Sequence, residues 1–471
     1  MRKLDVFLLV AILTIALLFR LYKISTPLAD FHSWRQADTA AVARNFVNRG
    51  FDLMHPRYDD MSNVQSGQNN PEGWRFVEFP IYNAIFGKLY NLFPAVPLEQ
   101  WGRLTSIFFS LVVIAIIYFL TLKEVSRTAA FWASLIYSTF PYFVFFSRVV
   151  LPESTALGFT FISIFLLYLS LSPITYILSL LFFAGALLIK PTTIFFGLPL
   201  LYLFFRKHKF GTLKNPAFYL YFLLSAAPLF FWREYIKNFP AGVPASEWLI
   251  TSVNVAGGMQ RIFFRPAFFR WIFFERINNL ILGGLSASFF VIGILAKQKK
   301  RLMTSILLAS LSYLFVFQGG NVQHEYYQTL IFPALAIFSG IGIDFLLHNR
   351  KTVSYLLSFI LIPAIFGLSW FFSYYSVRNY YNYPADLVQT AKVISSLTAP
   401  DDLVVTDTTG DTTLLYLSGR RGAPSVFKDP KELKTLGFDY ITTNSGDMVK
   451  QLERDNFKLV FGNEKLSIFK L

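Results

Sequence analysis

Long apolar runs, repeated along the whole chain, constrain this protein more than any other feature. A segment that crosses the hydrocarbon of a bilayer needs about 20 mostly apolar residues. "DVFLLVAILTIALLF", beginning at Asp5, supplies most of one and extends through Leu21 and Tyr22. Further runs are centred near residues 113, 138, 163, 182, 198, 224, 288, 310, 336 and 362, which makes about eleven. Backbone polar groups in lipid must be satisfied within their own segment, so each run is read as a helix. Composition agrees: 54% of residues are hydrophobic and only 15% charged, against roughly a quarter charged in a soluble domain. The fold class expected is therefore a polytopic α-helical membrane protein. Arg2 and Lys3 give the first run the look of a signal peptide. No small-residue cleavage site follows it and many spans do, so it is read as an uncut first helix.

The charges orient the spans. Lys123 and Arg127 share one short connection, and Arg206, Lys207, Lys209 and Lys214 share another. Lys297, Lys299, Lys300 and Arg301 occupy a third, Arg350 and Lys351 a fourth, and the only acid among them is Glu124. Basic residues collect on the cytoplasmic side, which predicts N-in and C-out. The segment from Lys23 to about Trp101 then lies outside. So do the turn "SRVVLPES" (Ser147–Ser154), Lys190–Pro191, the loop Arg233–Asn279, and "GGNVQHEYYQ" (Gly319–Gln328). The formal charge of +15 comes from short clusters of this kind and not from one long basic run, so nucleic acid is not an expected partner. The chain has no Cys, which excludes disulfides and thiolate metal sites. From about Tyr383 to Leu471 the sequence turns polar. Strand-like "DLVVTD", "FDYITT" and "FKLVFG" alternate there with helix-like "DLVQTAKVISSL" and "GDMVKQLERD", as in a small α/β domain. The domains expected are thus 1–375 in the membrane and 383–471 outside it.

Chemistry-bearing residues crowd the outer side. In the first loop, "ADTAAVARNFVNRG" reads as a helix with Asp38 or Thr39 near its start and Gly50 closing it. "RFVEFPIYNAIFGKLYNLF" (Arg75–Phe93) reads as a second amphipathic helix with Pro80 near its beginning. Both are expected at the membrane interface. Asp30 falls where the first span leaves the membrane. A carboxylate held near a hydroxyl there suits general-base catalysis, and partial desolvation raises its basicity. Asp38 pairs with Arg35, caps the helix, or is itself the base. Arg148 and Lys190 together place positive charge at headgroup height, where a lipid-linked phosphate would lie. His324, Glu325, Tyr326 and Tyr327 share one outer turn, but "HEYY" lacks the second histidine of a zinc-protease helix. No metal ligand set is assigned. Walker, Rossmann and Gly-x-Ser-x-Gly patterns are all missing, and a lipid-phosphate donor drawn from the bilayer requires none of them.

An acidic loop after the first span, two interfacial helices, an acidic outer turn, a Lys-Pro at a span's outer end and a small soluble tail together resemble the GT-C membrane glycosyltransferases. "PLADFHSWRQADTAAVARNF", "RYDDMSNVQSG", "PEGWRFVEFPIYNA" and "HEYYQTLIFPALAI" are similar to segments of the family 39 and protein O-mannosyltransferase group and of the aminoarabinose transferases. The resemblance spans roughly residues 1–375. It implies inverting transfer of a sugar from a polyprenyl-phosphate donor to an acceptor hydroxyl at the outer membrane face. By position it implies Asp30 as base, Glu78 and Glu153 on the donor's sugar hydroxyls or on a cation, and Lys190 on the phosphate with Arg148 and His324 or Tyr327. His32 and Arg35 complete the donor-binding candidates. Counting back from Gly50, however, Arg35 falls where many relatives keep the acid, so Asp38 stays beside Asp30 as a candidate base. No cofactor is required on this reading, and a divalent cation is optional. The acceptor is a protein, a lipid or an envelope glycan. The remaining alternatives are a transporter or lipid flippase without chemistry, and a polysaccharide polymerase or ligase. Transporters carry charge at mid-membrane in repeated halves, whereas these runs are nearly free of charge and the first loop is not repeated.

Overall fold

The computed structural model describes residues 2–169, 172–244, 265–349 and 354–471. Helices α1 (Lys3–Leu21), α2 (Ser33–Arg49), α3 (Ile81–Leu92), α4 (Leu98–Glu124) and α5 (Arg127–Thr139) open the chain. They are followed by α6 (Pro141–Phe146), α7 (Glu153–Leu169), α8 (Pro173–Ile189), α9 (Gly197–His208) and α10 (Pro216–Ile236). Next come α11 (Pro266–Phe269), which continues as a wider-wound helix over Arg270–Ile281, then α12 (Ala287–Leu295), α13 (Leu302–Val316) and α14 (Gln318–Gln323). After α15 (Phe332–His348) and α16 (Tyr355–Val377), the tail carries α17 (Ala385–Leu397), α18 (Thr413–Ser418), α19 (Pro430–Thr435) and α20 (Gly446–Arg454).

Every apolar run coincides with a helix. Among the described residues, four stretches are long and apolar enough to cross a membrane unaided: Lys3–Leu21, Leu98–Glu124, Glu325–His348 and Tyr355–Leu397. The other helices are shorter than their runs because proline and polar caps interrupt them. Ser172 accepts from Thr175 N and precedes Pro173, which fixes the start of α8. Pro191 ends the same helix by forcing the preceding Lys190 out of helical geometry, to φ −151° and ψ 101°.

Contacts divide the chain into two compact units, the first made of the described residues in 1–24, 103–231 and 248–379. At one end of this helical unit, two of the basic connections reach a single carboxylate on a third. Glu124 receives Arg206 at 3.0 Å, Lys300 at 3.5 Å and the Tyr168 hydroxyl at 2.8 Å. Beside it, Asp5 at the start of α1 pairs with Arg127 at 2.5 Å. Arg350 and Lys351 lie outside the described residues. Helix α15 packs closely on two neighbours through small residues. A Cβ at Gly342 would stand 1.9 Å from the Phe289 carbonyl oxygen of α12, and one at Gly340 would stand 2.6 Å from Ala129 O of α5.

The second unit gathers the described residues in 25–102, 232–247 and 380–471. Its sheet has the order β2-β1-β3-β5-β4, with β1 (Leu403–Thr406), β2 (Arg421–Ala423), β3 (Tyr440–Thr443), β4 (Lys458–Gly462) and β5 (Ser467–Lys470). Strand β1 pairs parallel with β2 and β3, while β5 runs antiparallel to β3 and β4. Strand alternation sends Val404 and Ile468 to one core with Leu415 and Ile394, and Val405, Ile441 and Phe469 to the other with Leu433 and Leu452. β2 is a sheet edge, and residues 59–61 cover it. Gly422 N donates to Asp59 O at 2.9 Å and Met61 N to Gly422 O at 2.7 Å, which satisfies an otherwise open edge. Only glycine fits at 422, where φ is 155° and a Cβ would lie 1.9 Å from Val404 O.

Two helix boundaries differ from expectation. α2 begins at Ser33, with His32 as its left-handed N-cap at φ 58°, so Asp38 lies in the second turn and caps nothing. Gly50 closes it at φ 98°, a value glycine accepts without cost. The second loop helix runs only from Ile81. Residues before it are extended: Phe76 N donates to Gly242 O at 2.8 Å, and Trp232 packs on Phe76 and Phe79. The loop Arg233–Asn279 is described here through residue 244 and again from 265.

Candidate active site

The expected site residues divide between the two units. In the second unit, Asp30 is 3% exposed, and its Oδ1 accepts from Gln36 Nε2 at 2.6 Å. Gln36 lies one turn into α2 and also donates to Phe31 O at 3.0 Å, so the start of the helix holds this carboxylate in a fixed position. The ring of His32 tilts against Phe31 at 4.3 Å. Phe31 in turn stacks on Tyr380 at 4.0 Å and donates its N–H to Tyr380 O.

Asp38 has different partners from those expected. Its Oδ2 meets Arg75 Nη2 at 2.7 Å and its Oδ1 receives the Thr412 hydroxyl at 2.6 Å, with the side chain 1% exposed. Both oxygens are thus engaged, one by a guanidinium, and Arg35 is not the partner. Arg35 instead grips Glu78, with Nη2 at 2.6 and 2.7 Å from the two carboxylate oxygens. Arg75 also lies over the Tyr58 ring at 4.7 Å.

In the first unit, Lys190 and Glu153 meet. Nζ stands 2.7 Å from Oε1, and the side chains are 7% and 2% exposed. The local sequence accounts for both positions. Pro191 swings Lys190 off the end of α8, and Pro152 starts α7 so that Glu153 is its first residue, where the helix dipole favours an anion. Glu153 Oε2 is buried and has no hydrogen-bond donor among the described residues. Lys190 Nζ also lies 4.9 Å from the Tyr327 ring centroid and 6.0 Å from that of Tyr326. His324 stacks on Tyr326 at 5.3 Å. This turn is pinned from three sides: Tyr313 hydroxyl to Tyr327 O at 3.1 Å, Tyr142 hydroxyl to Glu325 O at 2.8 Å, and Arg276 to Glu325 at 2.8 Å. Arg148 donates to Lys23 O at 2.9 Å, just beyond the end of α1. A cation, a carboxylate with an open acceptor and an aromatic face therefore share one buried place. Such a set suits a sugar phosphate, whose charge, hydroxyls and ring each find a complement.

Several residues of structural weight carried no assignment in the sequence. Arg20, fully buried, donates to Ser147 Oγ at 2.8 Å and to the Ser138 and Tyr137 carbonyls at 3.0 Å. Arg103 reaches Ile24 O at 2.7 Å. Within "RYDDM", Asp59 pairs with Arg44 at 2.5 Å, and Asp60 is bound by Ser62 N at 2.8 Å and Ser62 Oγ at 2.6 Å. Burial pushes the Asp60 carboxyl up to about 6, although the Ser62 hydrogen bonds pull it down. Among the described residues no three acidic or histidine side chains gather as a metal cage.

Comparison with known proteins bears on the whole chain. The family described as dolichyl-phosphate-mannose-protein mannosyltransferase matches residues 80–232. No curated protein matches by sequence. Among solved structures, ArnT from Cupriavidus metallidurans bound to undecaprenyl phosphate superposes with a TM-score of 0.67 at 13% identity, covering 98% of this chain and 97% of that one. The Archaeoglobus fulgidus oligosaccharyltransferase in complex with zinc and sulfate gives 0.56 at 11% identity, covering 93% of this chain and 69% of its own. The fold is that of the GT-C membrane glycosyltransferases, as the sequence resemblance implies.

Proposed function

We propose that this GT-C-fold chain is an inverting glycosyltransferase of the plasma (inner) membrane. It moves a hexosyl or pentosyl group from a polyprenyl phosphate to an acceptor hydroxyl on the extracytoplasmic face. The observation that supports this most is the likeness, over nearly the whole chain, to a structure holding undecaprenyl phosphate. The meeting of Arg206 and Lys300 on Glu124 brings basic connections together at one end of the helical unit, which supports an N-in, C-out arrangement.

The chemistry assigns one task to each group. The acceptor oxygen attacks the anomeric carbon as the carbon–phosphate oxygen bond breaks from the other side. Asp30 takes the acceptor's proton. The departing polyprenyl phosphate gains a negative charge, and Lys190 offsets that charge. Glu153 orients Lys190 and offers its open Oε2 to a sugar hydroxyl, while Tyr327 lies along the ring. Arg148 and His324 assist at the phosphate. Arg35 and Glu78, which hold each other, and His32, the N-cap of α2, are assigned to donor binding. The transfer as written uses no cofactor.

The test is to incubate purified protein in nanodiscs with a panel of radiolabelled polyprenyl-phosphate sugars and to follow donor hydrolysis and transfer. Lys190→Gln is expected to slow turnover by about 10²–10³-fold. A complete lack of donor turnover and binding across the panel would overturn the reading.

A further inference from the structure

The second unit contains a polar cleft separate from every residue assigned above. It encloses about 320 Å³ where α2 ends, with Phe46 and Phe51 as apolar wall and Arg49, Asp52, His55 and Arg57 as polar lining. That volume accommodates a small-molecule group. The acids nearby are already engaged. Asp59 goes to Arg44 at 2.5 Å, Glu72 to Arg57 at 3.0 Å, and Asp52 to His55 Nδ1 at 2.8 Å. The His55 ring is fixed on its other side by Tyr235, Nε2 to hydroxyl at 2.9 Å. Positive charge is left over. Arg49 has no acid within ion-pair distance among the described residues. Arg421, on edge strand β2, has only the Glu72 carbonyl, at 3.3 Å, as hydrogen-bond partner among the described residues. The buried Nε atoms of Arg57 and of Arg421 find no acceptor among the described residues. Arg421 also feels its neighbours, since burial first, and then the charge of Arg49, bring its guanidinium down to about 10. A fold does not gather like charges and leave buried donors open without an energetic cost. An anion in the cleft offsets the repulsion between Arg49, which lines it, and the neighbouring Arg421, and guanidinium forks match phosphate and carboxylate geometry.

We infer that this cleft binds an oxyanion, phosphate or carboxylate, carried by a saccharide acceptor; the acceptor role rests on the transferase reading. Helix α2 links the two places. Its 17 residues span roughly 25 Å, with Gln36 and Asp30 at its start and Arg49 in its last turn. The anchored charge therefore lies several sugar units from the reacting hydroxyl, and the acceptor is an extended acidic saccharide.

Equilibrium binding of radiolabelled glucose 6-phosphate to the full-length protein in phosphatidylcholine nanodiscs tests this. The sugar phosphate is expected to bind and to be displaced by glucuronate but not by glucose. Arg49→Gln and Arg421→Gln should each weaken binding by at least about tenfold, with Arg49→Lys partly restoring it. Donor hydrolysis by Arg49→Gln should match the unaltered protein, which shows that the variant is folded. Equal binding in all variants would overturn the site. Inorganic phosphate binding as tightly as the sugar phosphate, or loss of probe binding only in phosphatidylglycerol nanodiscs, would overturn the saccharide assignment in favour of free phosphate or a lipid headgroup. Failure of the two readings is distinguishable. Donor hydrolysis without arginine-dependent binding rejects the cleft alone, and arginine-dependent binding without donor turnover rejects the transferase.

Discussion

Two aspartates eight positions apart are equivalent in the sequence but not in the structure. Asp38 is tied at both oxygens, by Arg75 and Thr412. Proton abstraction there would break a buried ion pair. Asp30 accepts from the neutral amide of Gln36. With Asp30 as the base, Asp30→Asn is expected to lower turnover by about 10²–10⁴-fold. Asp38→Asn strands the buried Arg75 and should destabilise the second unit by about 3 kcal/mol, read as a drop in melting temperature. Turnover that survives Asp30→Asn but not Asp38→Asn would reverse the assignment. Asp60 makes a pH-dependent contribution. Its folded-state pKa of about 6 stands above the ordinary value of 3.8, so its contribution to stability is full below about 4 and is lost as pH rises through about 6. That difference corresponds to about 3 kcal/mol. Asp60→Asn should raise the melting temperature more at pH 7.5 than at pH 4.5, and an equal change at both would contradict the shift. None of this was legible from "RYDDM" alone, because burial and the Ser62 turn are tertiary facts. A sequence shows that Asp60 is acidic but not that water is kept from it.

Helix positions were legible because lipid-length apolar runs have few other solutions, and every run is helical. Their ends were harder to read. The first loop's α2 begins five residues before Asp38 because Ser33 and the left-handed His32 start it, and no side-chain cap marks that point. In the tail, β1, β3 and β4 fall on "DLVVTD", "FDYITT" and "FKLVFG", but β2 is "RGA" and β5 is "SIFK". Neither has the length or the β-branched content that would mark a strand, so both depend on pairing with β1 and β3. The contacts of α15 were equally silent, since a glycine in an apolar run does not show what it touches. Gly342 leaves no room beside Phe289 O, as expected where membrane helices approach through small residues. Gly342→Val should separate α15 from α12, cost about 1–3 kcal/mol, and lower the melting temperature in detergent. Gly367→Val serves as a control, because a Cβ there meets nothing within 4 Å. Equal effects would show that the helix crossing is looser than described.

At the scale of the molecule, the second unit is one compact body built from three distant stretches of chain. Residue pairs 372 and 374 positions apart, Arg44 with Tyr416 and Asp38 with Thr412, hold it together. The sequence showed an outer loop and a tail of changed composition; the seam between them is invisible to any local pattern. Gly422→Val should open that seam, because Val404 O leaves no space for a side chain. Limited proteolysis is then expected to cut near residue 60 and near residue 420 together, while cleavage at only one place would mean that the two segments are independent. The edge pairing of Asp59–Met61 with Gly422 also orders events in time. A ribosome makes residue 60 long before residue 422. The loop therefore waits without its strand partner until β2 has been synthesised. A chain that lacks β2 leaves the backbone groups of Asp59 and Met61 without these partners, so a lesion in one stretch is exposed in another far from it in sequence.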